Sequence, residues 1–316
     1  LQLASGNALP LSLGGRLVGR GGAALHAPLL APESDVFDAW SGGADVVERR
    51  HGCVSYSTDG QWLYGCAQID DRGIGLQAAS RQAYADVFEV LADSECPHPL
   101  RLWNYLARIN EETDGTERYR QFNAGRQQAF IEARRSAFEG SPAACALGTT
   151  SGPLLVSFLS GRKPPLAIEN PRQVSAYRYP ETYGLRRPSF SRAAVADVGG
   201  GRSALFISGT ASIVGHETVH VGDVRRQTEE SLVNIEAVRE ASAAQGGVSV
   251  PLAELTCTVY VRRADDLAVV REVFENTVGP GSAAARGAVY LQADICRADL
   301  LVEIEAHGFV HIGSSS

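Results

Sequence analysis

The sequence has no methionine and one lysine, Lys163, against 28 arginines. It also lacks excess positive charge: the formal net charge is −7 and the pI is near 5.6. That argues against the basic surface that a nucleic acid or an anionic membrane would need. No apolar run approaches the length of a membrane span. There is no CxxC pair and no Gly-rich phosphate loop. The six cysteines, Cys53, Cys66, Cys96, Cys145, Cys257 and Cys296, are scattered without metal-ligand spacing, so free thiols are expected. The stretch GHETVH (215–220) looks superficially like a zinc-binding helix, but the flanking Gly215 and Gly222 suit a loop, and no metal site is expected. The first residues, LQLASGNALPLSLGG, have neither the basic nor the continuous apolar region of a secretion signal, and no initiator methionine. A trimmed start and a cytoplasmic protein are the expectation.

With 316 residues, 44% of them hydrophobic, there is enough chain for two cores, and the chain is written twice. WLYGCAQID (62–70) corresponds to ALFISGTAS (204–212), and QAASRQAYADVFEVL (77–91) to RQTEESLVNIEAV (226–238). RLWNYLARI (101–109) then matches CTVYVRRAD (257–265), and ERYRQFNAGRQQAF (117–130) matches DLAVVREVFENTV (266–278). Last, GPLLVSFLSG (152–161) matches ADLLVEIEAHG (298–308). Period-2 and helical spacing alternate, so each half reads strand, helix, strand, helix, strand. The fold class expected is α+β: two domains from a degenerate internal repeat, residues 1–163 and 164–316, each a mixed sheet with helices on one face. The Pro-rich segment GRKPPLAIENPRQ supplies the join.

Within DICRADLLVEIEAHG (294–308), alternation puts Glu303 and Glu305 on one strand face and Val302 and Ile304 on the other. Taken alone, this suits an edge strand with a wet face. The repeat argues otherwise, because the first copy has Ser157 and Leu159 at those positions. The architecture does not require carboxylates there, which points to a functional role for Glu303.

The second half resembles the YjgF/Rid family in LFISG, GDVRRQTEESLVNIEAV, VYVRRADDL and LLVEIEA, in that order and at that spacing. Rid proteins form trimers with clefts between subunits. In deaminating members an arginine binds the substrate carboxylate, but the matching position here is near the uncharged Val289. A narrower resemblance covers most of the chain. WNYLARIN, YRQFNAGRQQAF, IENP, YRYPETYGLRRPSFSRA, FISGTASIVGHETVHVGDV and DICRADLLVEIE are together similar to the chorismatases. The resemblance implies a YjgF-like fold, no cofactor, removal of pyruvate from chorismate, and a site in the C-terminal half. Gly209 and Cys296 place the chain with the 3-hydroxybenzoate synthases, whereas members of the hydrolytic branch have alanine at both positions.

Chorismate is a dianion, and cleaving its enol ether begins by protonating a weakly basic methylene carbon, so a positioned acid is required. Glu303, on an apolar strand near two substrate carboxylates, fits that role, with Glu305 as a structural partner. Planar bidentate recognition of carboxylates favours arginine. Arg186 and Arg192 match the family pattern, Arg187 beside them less uniformly, and Tyr177, Tyr179 and Tyr183 offer hydroxyls. Arg126, in the first repeat, could reach the site only across the domain interface. Gly209 would leave room for the substrate ring, and Cys296 would act as a weak acid, a nucleophile or a packing residue. His216 and His220 are expected in a loop after the FISGTAS strand, either approaching the ligand or serving as capping or solvated residues. The competing readings are hydrolysis of chorismate to a dihydroxycyclohexadiene carboxylate, and a Rid-like binding module without turnover. A small molecule is the expected partner, with monomer and trimer both open.

Overall fold

Leu76, Ala79, Ala83, Val87 and Leu91 recur at helical spacing and are all buried. They form the inner stripe of the helix Leu76–Asp93, which packs with the helix Arg118–Glu132 over one face of a sheet. The computed structural model describes residues 2–4, 13–18, 25–33, 36–43, 45–135, 140–179 and 188–311. The first sheet has six strands in the order Ala143–Thr149, His98–Ala107, Leu154–Gly161, Trp62–Ile69, Val54–Thr58 and Val47–His51. The second has seven: Leu166–Ile168, Ala193–Gly199, Arg202–Ala211, Val302–His311, Thr256–Val261, Val289–Gln292 and Leu29–Ala31. Helices Val224–Ala244 and Leu267–Val278 cover its outer face. Asp223 caps the first of these by accepting from the Arg226 N–H at 3.1 Å.

Each half is thus a mixed sheet with helices on one face, and the fold is α+β. Each half also contains more strands than the three expected, among them one that follows its second helix. Ala143–Thr149 and Val289–Gln292 return parallel to the strand preceding their helix, His98–Ala107 and Thr256–Val261 respectively. The first sheet's last strand ends at Gly161 and the second sheet's Leu166–Ile168 follows it, while Leu29–Ala31, early in the chain, pairs antiparallel with Val289–Gln292 at the edge of the second sheet.

The two sheets face each other with the helices outside. Their shared core contains Trp40, Trp103, Tyr105, Leu155, Phe206 and Tyr260, with the Trp40 ring 5.8 Å from Phe206 and 5.2 Å from His307. Val302–His311 is therefore not a wet edge. It is paired on both sides, by Arg202–Ala211 and Thr256–Val261. Val302, Ile304 and Ala306 pack under the helices, while Glu303 and Glu305 point into the space between the sheets, where both are buried. Among the described residues no helix is long and apolar enough to cross a membrane.

Candidate active site

A β-bulge builds the site. Arg202–Ala211 pairs in register with Val302–His311 as far as Ile207 opposite Ala306, and resumes with Thr210 opposite Ile304. Ser208 and Gly209 therefore face Glu305 alone, which bends the strand. The Ser208 hydroxyl donates to the Ser191 carbonyl at 2.6 Å and accepts from the Ala144 N–H at 2.9 Å, tying the edge of the first sheet to the second. Gly209 lies against the Glu303 side chain: a Cβ there would stand 1.9 Å from Glu303 Oε1 and 3.0 Å from the Cys145 Cβ. The glycine is needed for this close approach and not for an unusual backbone angle.

The two glutamates differ in surroundings. Glu305 is ion-paired with Arg101 of the first sheet and accepts from the Tyr260 hydroxyl at 2.9 Å. That hydroxyl is 2.8 Å from the Tyr105 hydroxyl, and Arg101 also donates to the Ile207 carbonyl at 3.1 Å. Glu303 is only 3% exposed, and among the described residues its carboxyl has no hydrogen bond or ion pair. Burial pushes it up to about 8, Glu305 adds to the rise, and Arg101 and then Arg192 oppose it. It is a protonated acid at neutral pH, two residues from a paired carboxylate. The Cys296 thiol is pushed up to about 12, by burial first and then by Glu303. It is a thiol near neutral pH and not a thiolate.

Glu303 borders a cavity of about 290 Å³ whose walls include Tyr119, Tyr179, Phe190, Arg192, Gly209, Cys296 and Arg297. A narrow extension of about 30 Å³ runs past Tyr119 and Phe190 to Cys145 and Arg126. Arg192 is buried, donates to the Tyr179 hydroxyl at 2.8 Å and the Val174 carbonyl at 3.0 Å, and lies 5.1 Å from the Phe190 ring centre. Its Nε is buried without a partner. Arg126 approaches from the helix of the first half, with its Nη2 donating to Asn123 at 2.8 Å and its Nε likewise unpartnered. The structure therefore brings together Glu303, Cys296, Gly209, Arg192, Tyr179 and Arg126. Tyr177 packs beside the Arg178 guanidinium and does not line the cavity. Tyr183, Arg186 and Arg187 lie outside the described residues.

The HETVH stretch forms the hairpin Ile213–Val214 and Glu217–Thr218 and not a helix, so its histidines do not share a helix face. His220 Nε2 is 3.6 Å from Glu230, and the His216 carbonyl accepts from Arg297 at 2.9 Å. Among the described residues no group of three or more His, Cys, Asp or Glu side chains could hold a metal ion. Sequence reasoning missed Tyr119, Phe190, Arg297 and Arg101. A signal existed for two of them: Arg297 adjoins Cys296, and Arg101 is a charged residue on an apolar strand, as Glu305 is.

A larger cavity, about 1020 Å³, lies against the first sheet, where Ser157 stands in place of Glu303. Its carboxylates Asp70 and Asp71 are held by Arg72 and Arg118. Among the described residues that line it, none is a buried carboxyl comparable to Glu303.

Residues 38–160 match the family described as chorismatase FkbO/Hyg5-like, N-terminal. A 3-hydroxybenzoate synthase of Streptomyces hygroscopicus is 37% identical over 293 residues, covering 89% of this chain and 84% of its own. A chorismatase of Streptomyces rapamycinicus is 35% identical over 289 residues, with the same coverage of 89% and 84%. A crystal structure of a chorismatase superimposes with a TM-score of 0.82 at 31% identity, over 97% of this chain and 99% of that one. At that identity and coverage, along the length of the bulged strand, the cavity and the buried acid, the chain belongs to the chorismatase family.

Proposed function

We propose that this protein converts chorismate to 3-hydroxybenzoate and pyruvate, with Glu303 as the general acid. The observation that carries the reading is the Glu303 carboxyl itself, buried and protonated at the wall of a cavity that also presents guanidinium groups. Glu303 protonates the terminal methylene carbon of the enol ether, leaving an oxocarbenium centre. The developing cation is stabilised as the glutamate becomes a carboxylate beside it. Conversion to 3-hydroxybenzoate and pyruvate conserves all atoms of chorismate, so no net water enters. C4 loses its oxygen: of the two ring oxygens one remains at C3 and the other leaves as the ketone oxygen of pyruvate, while the ring aromatises by losing a proton that returns to the Glu303 carboxylate. Arg192 holds one substrate carboxylate, and Arg297 and Arg126 flank the space for the other. Gly209 and Cys296 shape the wall against which the ring rearranges.

Catalysis is assigned to the C-terminal half, 164–316, with the N-terminal half contributing Tyr119 and Arg126 to the cavity. No disulfide joins the six cysteines, which suits a reducing cytoplasm. Incubating the protein with chorismate, without added metal, flavin or nicotinamide, should yield pyruvate and 3-hydroxybenzoate in equal amounts by chromatography. The diene diol as main product would assign it to the hydrolytic branch, and no pyruvate at all would leave only a binding module.

Arg192→Ala should raise KM roughly ten- to a hundredfold, the value of one lost charge-assisted hydrogen bond of about 1.5–3 kcal/mol. Steady-state kinetics beside a melting curve checks this, because an unchanged KM in a folded variant would make Arg192 a support for Tyr179 only.

A further inference from the structure

Cys296 stands on the loop between Gln292 and Val302; Gln227 holds the far end of that loop at Asp299 and Leu301, and Arg262, also outside the cavity, holds the part around Cys296. The Arg262 guanidinium donates from Nε to the Leu300 carbonyl at 2.7 Å, and from Nη1 to Asp294 Oδ1 at 2.6 Å and Asn110 Oδ1 at 3.1 Å. From Nη2 it reaches the Arg297 carbonyl at 2.8 Å, the Ile295 carbonyl at 3.2 Å and Asn110 again at 3.1 Å. The carbonyls of residues 295 and 297 bracket Cys296, so its backbone is fixed from both sides by one planar fork. At its start the loop is anchored by paired backbone bonds between Gly148 and Asp294, at 2.7 and 2.9 Å. Asn110 belongs to the first half and Arg262 to the second, so the clamp also records how the halves sit. The Arg262 side chain is 16% exposed and does not border the cavity.

We propose that Arg262 is a positioning residue that places Cys296 against the reacting ring and thereby sets the partition between 3-hydroxybenzoate and the diene diol. This rests on the chorismate reading above. Lysine keeps the charge but has no fork to span carbonyls on both sides of Cys296. Arg262→Lys should still release pyruvate, while the diol share per pyruvate rises roughly two- to thirtyfold, the span seen when residues touching no ligand alter a site. The same substitution in a Cys296→Ala background should leave the ratio where Cys296→Ala has set it, because the clamp acts through that side chain. Asn110→Ala, which trims the clamp from outside the loop, should move the ratio in the same direction by less, and it decides the matter if Arg262→Lys does not fold. An unchanged ratio in the folded variants, an equal shift in both backgrounds, or loss of pyruvate release by a folded Arg262→Lys protein overturns the proposal. Failure of the unsubstituted protein to release pyruvate would overturn the chorismate reading instead.

Discussion

Glu303→Gln is expected to lower kcat by a factor on the order of 10²–10⁴, while chorismate or an unreactive dicarboxylate still binds. Glutamine fills the same space beside Gly209 but has no proton to give. On the role proposed for Glu303 the working form is protonated, and burial pushes its pKa up to about 8, so wild-type kcat/KM should be flat below that value and fall about tenfold per pH unit above it. The substrate's own carboxylates would push the limb in kcat higher still. The same shift predicts the effect on stability. A carboxyl raised from 4.5 to about 8 in the folded state binds its proton more tightly there than in the unfolded chain. It therefore favours folding below pH 4.5 and progressively loses that contribution as the pH rises to 8. Glutamine does not titrate, so the variant should melt above wild type at pH 8, with the difference vanishing near pH 4.5. Wild-type kcat, or a melting gain independent of pH, would send the search for the acid elsewhere.

Glu305→Gln offers the contrasting case. It removes the charge that raises Glu303 and leaves Arg101 unpaired, and both changes lower the Glu303 pKa, so the alkaline limb should move to lower pH. Breaking a buried pair on one side also destabilises by about 3–5 kcal/mol. Melting curves and the pH profile together distinguish this from the Glu303 result.

The sequence predicts the repeat because each strand and helix carries its own period: the expected helix 117–130 is found at Arg118–Glu132, and the expected strand 62–70 at Trp62–Ile69. The strand Ala143–Thr149 was not legible because AACALGT has small residues and no alternation, being buried on both faces. The burial of Glu303 and Glu305 was equally hidden: period 2 tells which residues share a face but not whether another sheet covers it. Arg101 illustrates the same limit, since its partner Glu305 is 204 residues away in sequence. The helix Arg118–Glu132 buries Gln121, Asn123, Arg126 and Gln127, a polar inner face explained only by what it packs against. Glu303, Gly209 and Cys296 could be singled out because the two copies differ there and because family motifs run through them. What alternation could not convey was that Gly209 touches Glu303.

That contact changes what is expected of Gly209→Ala. From sequence alone the glycine would simply leave room for the ring, and a Gly209→Ala/Cys296→Ala variant would leave the acid undisturbed. With a Cβ only 1.9 Å from Oε1 and 2.7 Å from Cδ of Glu303, the carboxyl must swing away before any alanine fits. The Cys145 Cβ, 3.0 Å from the new methyl, limits movement on the other side. Cys296 shares the small extension with Glu303 and Gly209, so its sulfur restricts where the displaced carboxyl can go. Gly209→Ala alone should therefore lower kcat about tenfold to a hundredfold through a misplaced acid. Adding Cys296→Ala vacates the space the carboxyl needs and should restore much of the loss, so the pair is non-additive. The alanine pair of the hydrolytic branch would then be a matched set that holds the acid in a second position. In the double variant the thiol no longer shields the intermediate from water, and the diene diol should form at the expense of 3-hydroxybenzoate. The measurement is kcat for pyruvate release and the product ratio in both single variants and the double. Additive losses in kcat would mean that Gly209 and Cys296 act separately. An unmoved product ratio in the double variant would make them packing residues around an acid that does not choose its product.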